Sequence, residues 1–176
     1  MPATGAAGST DVGDDNGAPV PQPPAVALEQ PPGNRSCKTG GTWEKCHVSP
    51  DWSAGLEAVK VMSRSDDDFR LLKREIDRFM KAAQRGDLVY GKDADVYRMA
   101  TASLILELRF DRRVEYPDGR RAVRLYFSEP DLEPGVLLAV KIGAKPTTVG
   151  GLDLQNEHAA EAQDHVLAHY ALPDPA

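Results

Sequence analysis

A chain of 176 residues, 41% hydrophobic and 27% charged, has room for one core of ordinary size, and no apolar run approaches the ~20 residues a membrane-spanning helix needs. Its formal net charge of −6 argues against a nucleic-acid binder held by whole-molecule electrostatics. The charge is uneven, however: residues 60–125 carry 16 Lys+Arg against 12 Asp+Glu, whereas residues 126–176 carry 2 against 8.

Residues 1–41 hold 7 of the 14 prolines and 7 of the 15 glycines with almost no aliphatic periodicity, the composition of a disordered arm. Within it, PVPQPP (19–24) favours polyproline II and reads as a linker. The N-terminus has neither a basic n-region nor an apolar h-region, so a cytoplasmic protein is expected. Eight residues separate Cys37 from Cys46. Neither forms a CxxC pair nor sits at zinc-finger spacing from a histidine, so two free thiols and no metal site or other cofactor are expected.

Order is expected from Thr42 to residue 172, with 173–176 as a tail. The alternation in TWEKCHV (42–48) predicts a short strand. Ser49-Pro50 supplies an N-cap and an N1 proline, and Trp52, Leu56, Val59 and Met62 follow at helical spacing, predicting a helix over 50–62. A second helix starts at Ser65, where Ser65 and Asp68 form a capping-box pattern and Asp66, Asp67 and Asp68 favour the positive end of the dipole. Phe69, Leu72, Ile76, Phe79 and Ala83 make its apolar stripe, the other face carries Lys73, Arg74, Asp77, Arg78, Lys81 and Arg85, and Gly86 ends it.

The period then changes to two. SLILELRF (103–110) places Leu104, Leu106, Leu108 and Phe110 on one face and Ile105, Glu107 and Arg109 on the other. Glu115 to Arg120 spell a turn joining a strand that ends near Tyr116 to AVRLYFSE (122–129), a hairpin. GVLLAVKI, from Gly135, lacks alternation and predicts a central strand covered on both faces. A last helix over 153–170 follows, with Asp153 as N-cap and Ala159, Ala162, Val166 and Tyr170 as its apolar edge. The order β-α-α-β-β-β-α predicts an α+β domain: an antiparallel sheet of about four strands, two N-terminal helices on one face and a C-terminal helix.

No GxGxxG, Walker loop, nucleophile elbow or HExxH is present, which removes the commonest enzyme classes. Gly150-Gly151 reads as a joint. His158, Glu161, His165 and His169 fall on one stripe of the last helix, read as a solvated polar edge. The arginines say more. Arg109 and Arg124 sit on two strands, Arg112, Arg113, Arg120 and Arg121 crowd the turn between them, and Lys141 and Lys145 leave the last strand. Such a set suits phosphate oxygens; the alternative is a solvated sheet face balanced by Glu107, Asp111 and Glu115.

Over residues 42–172 the arrangement resembles the RelE/ParE superfamily of toxins from toxin–antitoxin pairs. The resemblance rests on TWEKCHVSPDW, FRLLKREIDRFMKA, and the successive strands LILELRF, AVRLYFSE and GVLLAVKIGAKP. It implies a toxin neutralised by a cognate antitoxin, either a ribosome-dependent mRNA endonuclease working without metal or a ParE-like inhibitor of DNA gyrase. A non-catalytic binding protein of the same fold is the further alternative. Carried over by position, Arg124, Arg109, Lys145 and Tyr126 become the catalytic candidates, with Lys141, Arg112, Arg113 and Arg121 as RNA and phosphate contacts. This chain departs from the family in having no arginine after the last strand, and no general acid or base stands out.

Overall fold

The structure is a computed structural model that describes residues 39–171 apart from Pro50, Asp118 and Val149. Residues 1–38 of the arm, Cys37 among them, the N1 proline and the C-terminal tail therefore lie outside the described residues, while Gly41 at the arm's end donates to the Gln84 carbonyl at 3.0 Å. The elements are β1 (Thr42–Lys45), α1 (Asp51–Met62), α2 (Asp66–Arg85), β2 (Val96–Arg98), β3 (Leu106–Tyr116), β4 (Gly119–Ser128), β5 (Val136–Pro146) and α3 (Gly151–Ala171).

The strands form one sheet in the order β1-β5-β4-β3-β2, with β1 parallel to β5 and the other neighbours antiparallel. The α+β class holds, but the expected antiparallel four-stranded sheet is corrected in two respects. The sheet is mixed, because the chain leaves β1 through the helix pair and returns far later, a crossover that permits parallel pairing. It also has a fifth strand, β2, whose three residues are too few to show an alternating pattern.

Helix α2 forms where its caps and stripe predict. The Ser65 hydroxyl accepts the Asp68 amide at 3.1 Å, and Gly86 adopts a left-handed φ of 75°. There the amides of Gly86 and Asp87 return to the carbonyls of Ala83 and Ala82, closing the last turn. Leu72, Ile76, Phe79 and Ala83 are buried. The Ser49 hydroxyl instead donates to the Val140 carbonyl at 2.8 Å, tying the entry of α1 to β5.

Two apolar layers sandwich the sheet. On one side α1 and α2 pack on Leu106, Leu108, Phe110, Val123, Leu125, Phe127, Leu137 and Ile142. Trp43 reaches into this layer, its ring edge-on to Phe127 at 5.3 Å and its indole N–H donating to the Met80 carbonyl at 2.8 Å. On the other side α3 packs through Ala159, Ala162 and Val166 on Ile105, Tyr126, Leu138 and Val140. Both faces of β5 are thus covered, as its unbroken apolar run predicts. Asp153 lies inside the first turn of α3 rather than at its cap.

Two irregularities shape the sheet. Between Arg109 and Arg113 the register of β3 slips against β4, so that four steps on one strand match two on the other. The amide of Asp111 donates to the Glu75 carboxylate of α2 at 2.8 Å and that of Arg112 at 3.2 Å, so the bulge is held by a side chain from the helix layer. On β5, Tyr126 pairs with Lys141 but Phe127 with Ala139, which turns both Val140 and Lys141 toward α3.

Gly55 is the point where α1 meets β5: a Cβ there would stand 2.5 Å from the Ile142 carbonyl oxygen. Alanine in a helix ordinarily gains about 1 kcal/mol over glycine. Here it must push α1 off the sheet, at a cost of about 1–3 kcal/mol, so Gly55→Ala should lower the thermal midpoint. A raised midpoint in calorimetry would refute the close contact.

Candidate functional site: a cationic cleft beside helix α3

Alternation along β3 and β4 sends Glu107, Arg109, Arg124 and Tyr126 to the face away from α1 and α2. This face is not solvated, because α3 lies across it. Glu107 is 0% exposed and Arg124 8% exposed. Arg109 and Arg124 are direct cross-strand partners, a like-charge pairing that repels. The Glu107 carboxylate sits between them, accepting from Arg109 Nε at 2.8 Å and lying 3.4 Å from Arg124 Nε. Arg109 also stacks on the Tyr97 ring at 4.4 Å.

The β3 bulge fixes the remaining donors. Arg124 Nη1 donates to the carbonyls of Val123 at 2.8 Å and Phe110 at 3.4 Å, and Arg113 Nη1 to those of Phe110 at 2.8 Å and Asp111 at 3.0 Å. Two guanidinium groups thereby satisfy carbonyls in the irregular segment and are held in place by it. The Lys145 ammonium donates to Gln155 of α3, whose amide reaches Met99 Sδ at 3.6 Å. Lys141 pairs with Glu161 at 3.0 Å.

Arg113, Arg124 and Lys145 line an open cleft of about 350 Å³ together with Ala122, Pro146, Thr147, Thr148 and the first residues of α3, Gly151 and Leu152. Burial lowers Lys145 from its ordinary ammonium value; Glu107 acts in the other direction, while Arg124, Arg109 and Arg113 add to the lowering. Burial likewise lowers Arg124, against the pull of Glu107. One carboxylate thus serves four cations. Of these only Arg124 is buried, Arg109 and Lys145 are half-buried and Arg113 is exposed; an excess of partly desolvated positive charge favours an external anion, and the start of a long helix adds its positive dipole end.

Tyr126 is 0% exposed with its hydroxyl unpartnered among the described residues, and its ring meets His158 edge-on at 5.8 Å. Burial first, and then Glu107, push the phenol far above its ordinary value, so it stays protonated and acts as no base. The structure therefore brings together Arg109, Arg124, Lys145 and Arg113, with Tyr126 sealed behind them and Lys141 flanking on the α3 side. It does not bring in Arg121, which lies on the opposite face over the Tyr116 ring at 5.0 Å, nor Arg112, which faces a groove beside α2.

Sequence reasoning treated Glu107 as one of several balancing surface charges. Its position between Leu106 and Leu108, inside the most apolar stretch of the strand, was the available signal for burial. Gln155 and His158 had no comparable mark. The histidine stripe of α3, expected as a solvated edge, is turned partly inward: the Nδ1 atoms of His158 and His165 are buried without partners among the described residues, and His158 packs where a Cβ on Gly143 would come within 2.6 Å. Among the described residues no cluster of three or more His, Cys, Asp or Glu is arranged for a metal, and no helix is long and apolar enough to cross a membrane. No family model matches the chain, and no curated protein or solved structure matches it significantly.

Burial, then Lys141, depress the His158 pKa, with Glu161 opposing. A histidine depressed in the fold stabilises it above the unfolded value of about 6.5 and loses that contribution as pH falls through the folded value. The thermal midpoint should therefore fall on acidification below about pH 6.5, and less steeply in His158→Gln. Equal slopes for both proteins would contradict a buried neutral imidazole.

Proposed function

We propose that the protein acts on RNA as the toxin of a toxin–antitoxin pair, gripping a phosphodiester of translated mRNA in the cleft of Arg124, Lys145 and Arg113. The observation that carries this reading is the charge of the cleft, lined by Arg113, Arg124 and Lys145, while the nearby buried Glu107 carboxylate is already shared between Arg109 and Arg124. The strands on which the resemblance rests are also sheet neighbours, in the order β5-β4-β3.

In this reading the 2′-OH of the bound nucleotide attacks its own phosphorus, the bond to the 5′ oxygen breaks, and a 2′,3′-cyclic phosphate and a 5′-OH result. Arg124, fixed by backbone carbonyls, stabilises the charge that builds on the phosphoryl oxygens. Lys145, with its ammonium lowered by burial, donates the proton to the leaving 5′ oxygen. No carboxylate or imidazole is among the described residues lining the cleft, so the 2′-OH proton leaves to water or to a group of the ribosome.

The sealed Tyr126 favours a second reading, a non-catalytic binding protein of the same topology that holds a phosphate-bearing partner without cutting it. Induction in a bacterial host separates the two. Cleavage predicts truncated messages with new 5′-OH ends and arrested growth, and Arg124→Ala should reduce both by about 10²-fold or more. Intact messages with normal growth would sink the nuclease reading in favour of the binding protein, and intact messages with a DNA-damage response would point to gyrase.

A further inference from the structure

A groove larger than the cleft lies outside it. It has a volume of about 800 Å³ and runs between α2 and the β3 bulge, with Arg74 and Arg78 on one wall and Arg112 and Arg113 on the other. A second, smaller depression of about 360 Å³ continues it along α2 past Lys81 to Arg85. Arg113 lines both the groove and the α3-side cleft, so the two cavities meet at the bulge.

Asp68, Glu75, Asp111 and Glu115 line the groove beside five arginines, so it is only slightly cationic, but several of these arginines are not held by a carboxylate. Glu75 accepts the bulge amides, Glu115 accepts from Arg120, and Arg85 is paired with Asp87. Asp68, Asp77 and Asp111 remain at the rims. Arg74, Lys81 and Arg112 carry no carboxylate partner among the described residues, and Arg78 lies over the Phe79 ring at 4.7 Å. In a chain of net charge −6, the run of Arg74, Arg78, Lys81, Arg112 and Arg113 along α2 and the bulge is a local feature that needs its own explanation. Among the described residues lining the groove Leu71 is the only apolar side chain and none is aromatic, so it offers phosphate contacts without a stacking platform for bases.

We propose that this line is a track for single-stranded RNA, which enters along α2, crosses the bulge at Arg112 and Arg113, and delivers one phosphodiester to Arg124 and Lys145. The inference rests on the RNA reading above and extends it: the partner is a strand of several nucleotides, held by its backbone and without sequence preference outside the cleft. Arg113 is the hinge of the arrangement, because its guanidinium is anchored to the Phe110 and Asp111 carbonyls where the two cavities join.

Fluorescence anisotropy of the full chain with labelled oligouridylate tests it. A 12-nucleotide strand should bind at least tenfold more tightly than the dinucleotide UpU, with a salt dependence that falls as about 0.7 per phosphate neutralised. The double variant Arg74→Ala/Arg112→Ala alters exposed side chains, and circular dichroism checks its fold. It should lose about tenfold in affinity for the 12-mer, flatten the salt slope by about 1.4, and bind UpU as before; Arg124→Ala should weaken both ligands. Wild-type affinity of the double variant for the 12-mer would overturn the track while leaving the cleft standing. If Arg124→Ala bound UpU and the 12-mer as wild type does, the RNA reading of the cleft would fall with it. A polyglutamate peptide displacing the RNA at equal charge concentration would assign the groove to an acidic protein instead.

Discussion

The α3-side face of this sheet depends on one buried carboxylate. Arg109 and Arg124 lie directly opposite each other on neighbouring strands, an arrangement that would force the strands apart or the side chains into solvent. Glu107 lies between them with no exposure to water, and makes the pairing tolerable. Removing one member of such a buried pair typically costs about 3–5 kcal/mol, because the survivor keeps its charge without its partner. A carboxylate that neutralises only part of the surrounding cation charge does a second thing: it leaves the site pre-formed yet electrostatically incomplete.

The bulge in β3 supplies the geometry. An irregular segment leaves carbonyls and amides without strand partners, and groups buried in that state are costly. Glu75 from the helix layer takes the amides, while Arg113 and Arg124 take carbonyls, so side chains from both faces of the sheet meet at one point. Local structure and candidate function share the same atoms here. Straightening β3 would relieve the arginines of their carbonyl partners and release both from the cleft. Helix α3 adds a different constraint. By sealing Tyr126 it removes the one phenol from proton transfer, which confines any chemistry to charge stabilisation and to Lys145.

Much of the fold was legible in the sequence because its signals are local. Ser65 and Gly86 mark the ends of α2, the two-residue period marks β3 and β4, and the apolar run after Gly135 marks a strand covered on both faces. The fifth strand and the parallel pairing of β1 were not legible, since three residues carry no period and pairing partners 94 positions apart leave no local trace. At the site, the arginines and Lys145 could be listed from strand parity. The same parity sends Arg112 and Arg121, three residues from Arg109 and Arg124, to the other side of the sheet; the slipped register that anchors Arg113 is announced by no residue type. The cover of α3 over Tyr126 was hidden for the same reason, because which sheet face a terminal helix takes is decided by packing.

The central claim is that the cations around Glu107 are completed by a phosphate from outside the chain. Side-chain NMR of Arg124 Nε–H and Lys145 during titration with UpU reads this directly. The account predicts saturable shifts of both signals, lost in Glu107-intact Arg124→Ala for the remaining Lys145 signal. Signals that stay fixed across the titration, while the chain remains folded, would contradict it.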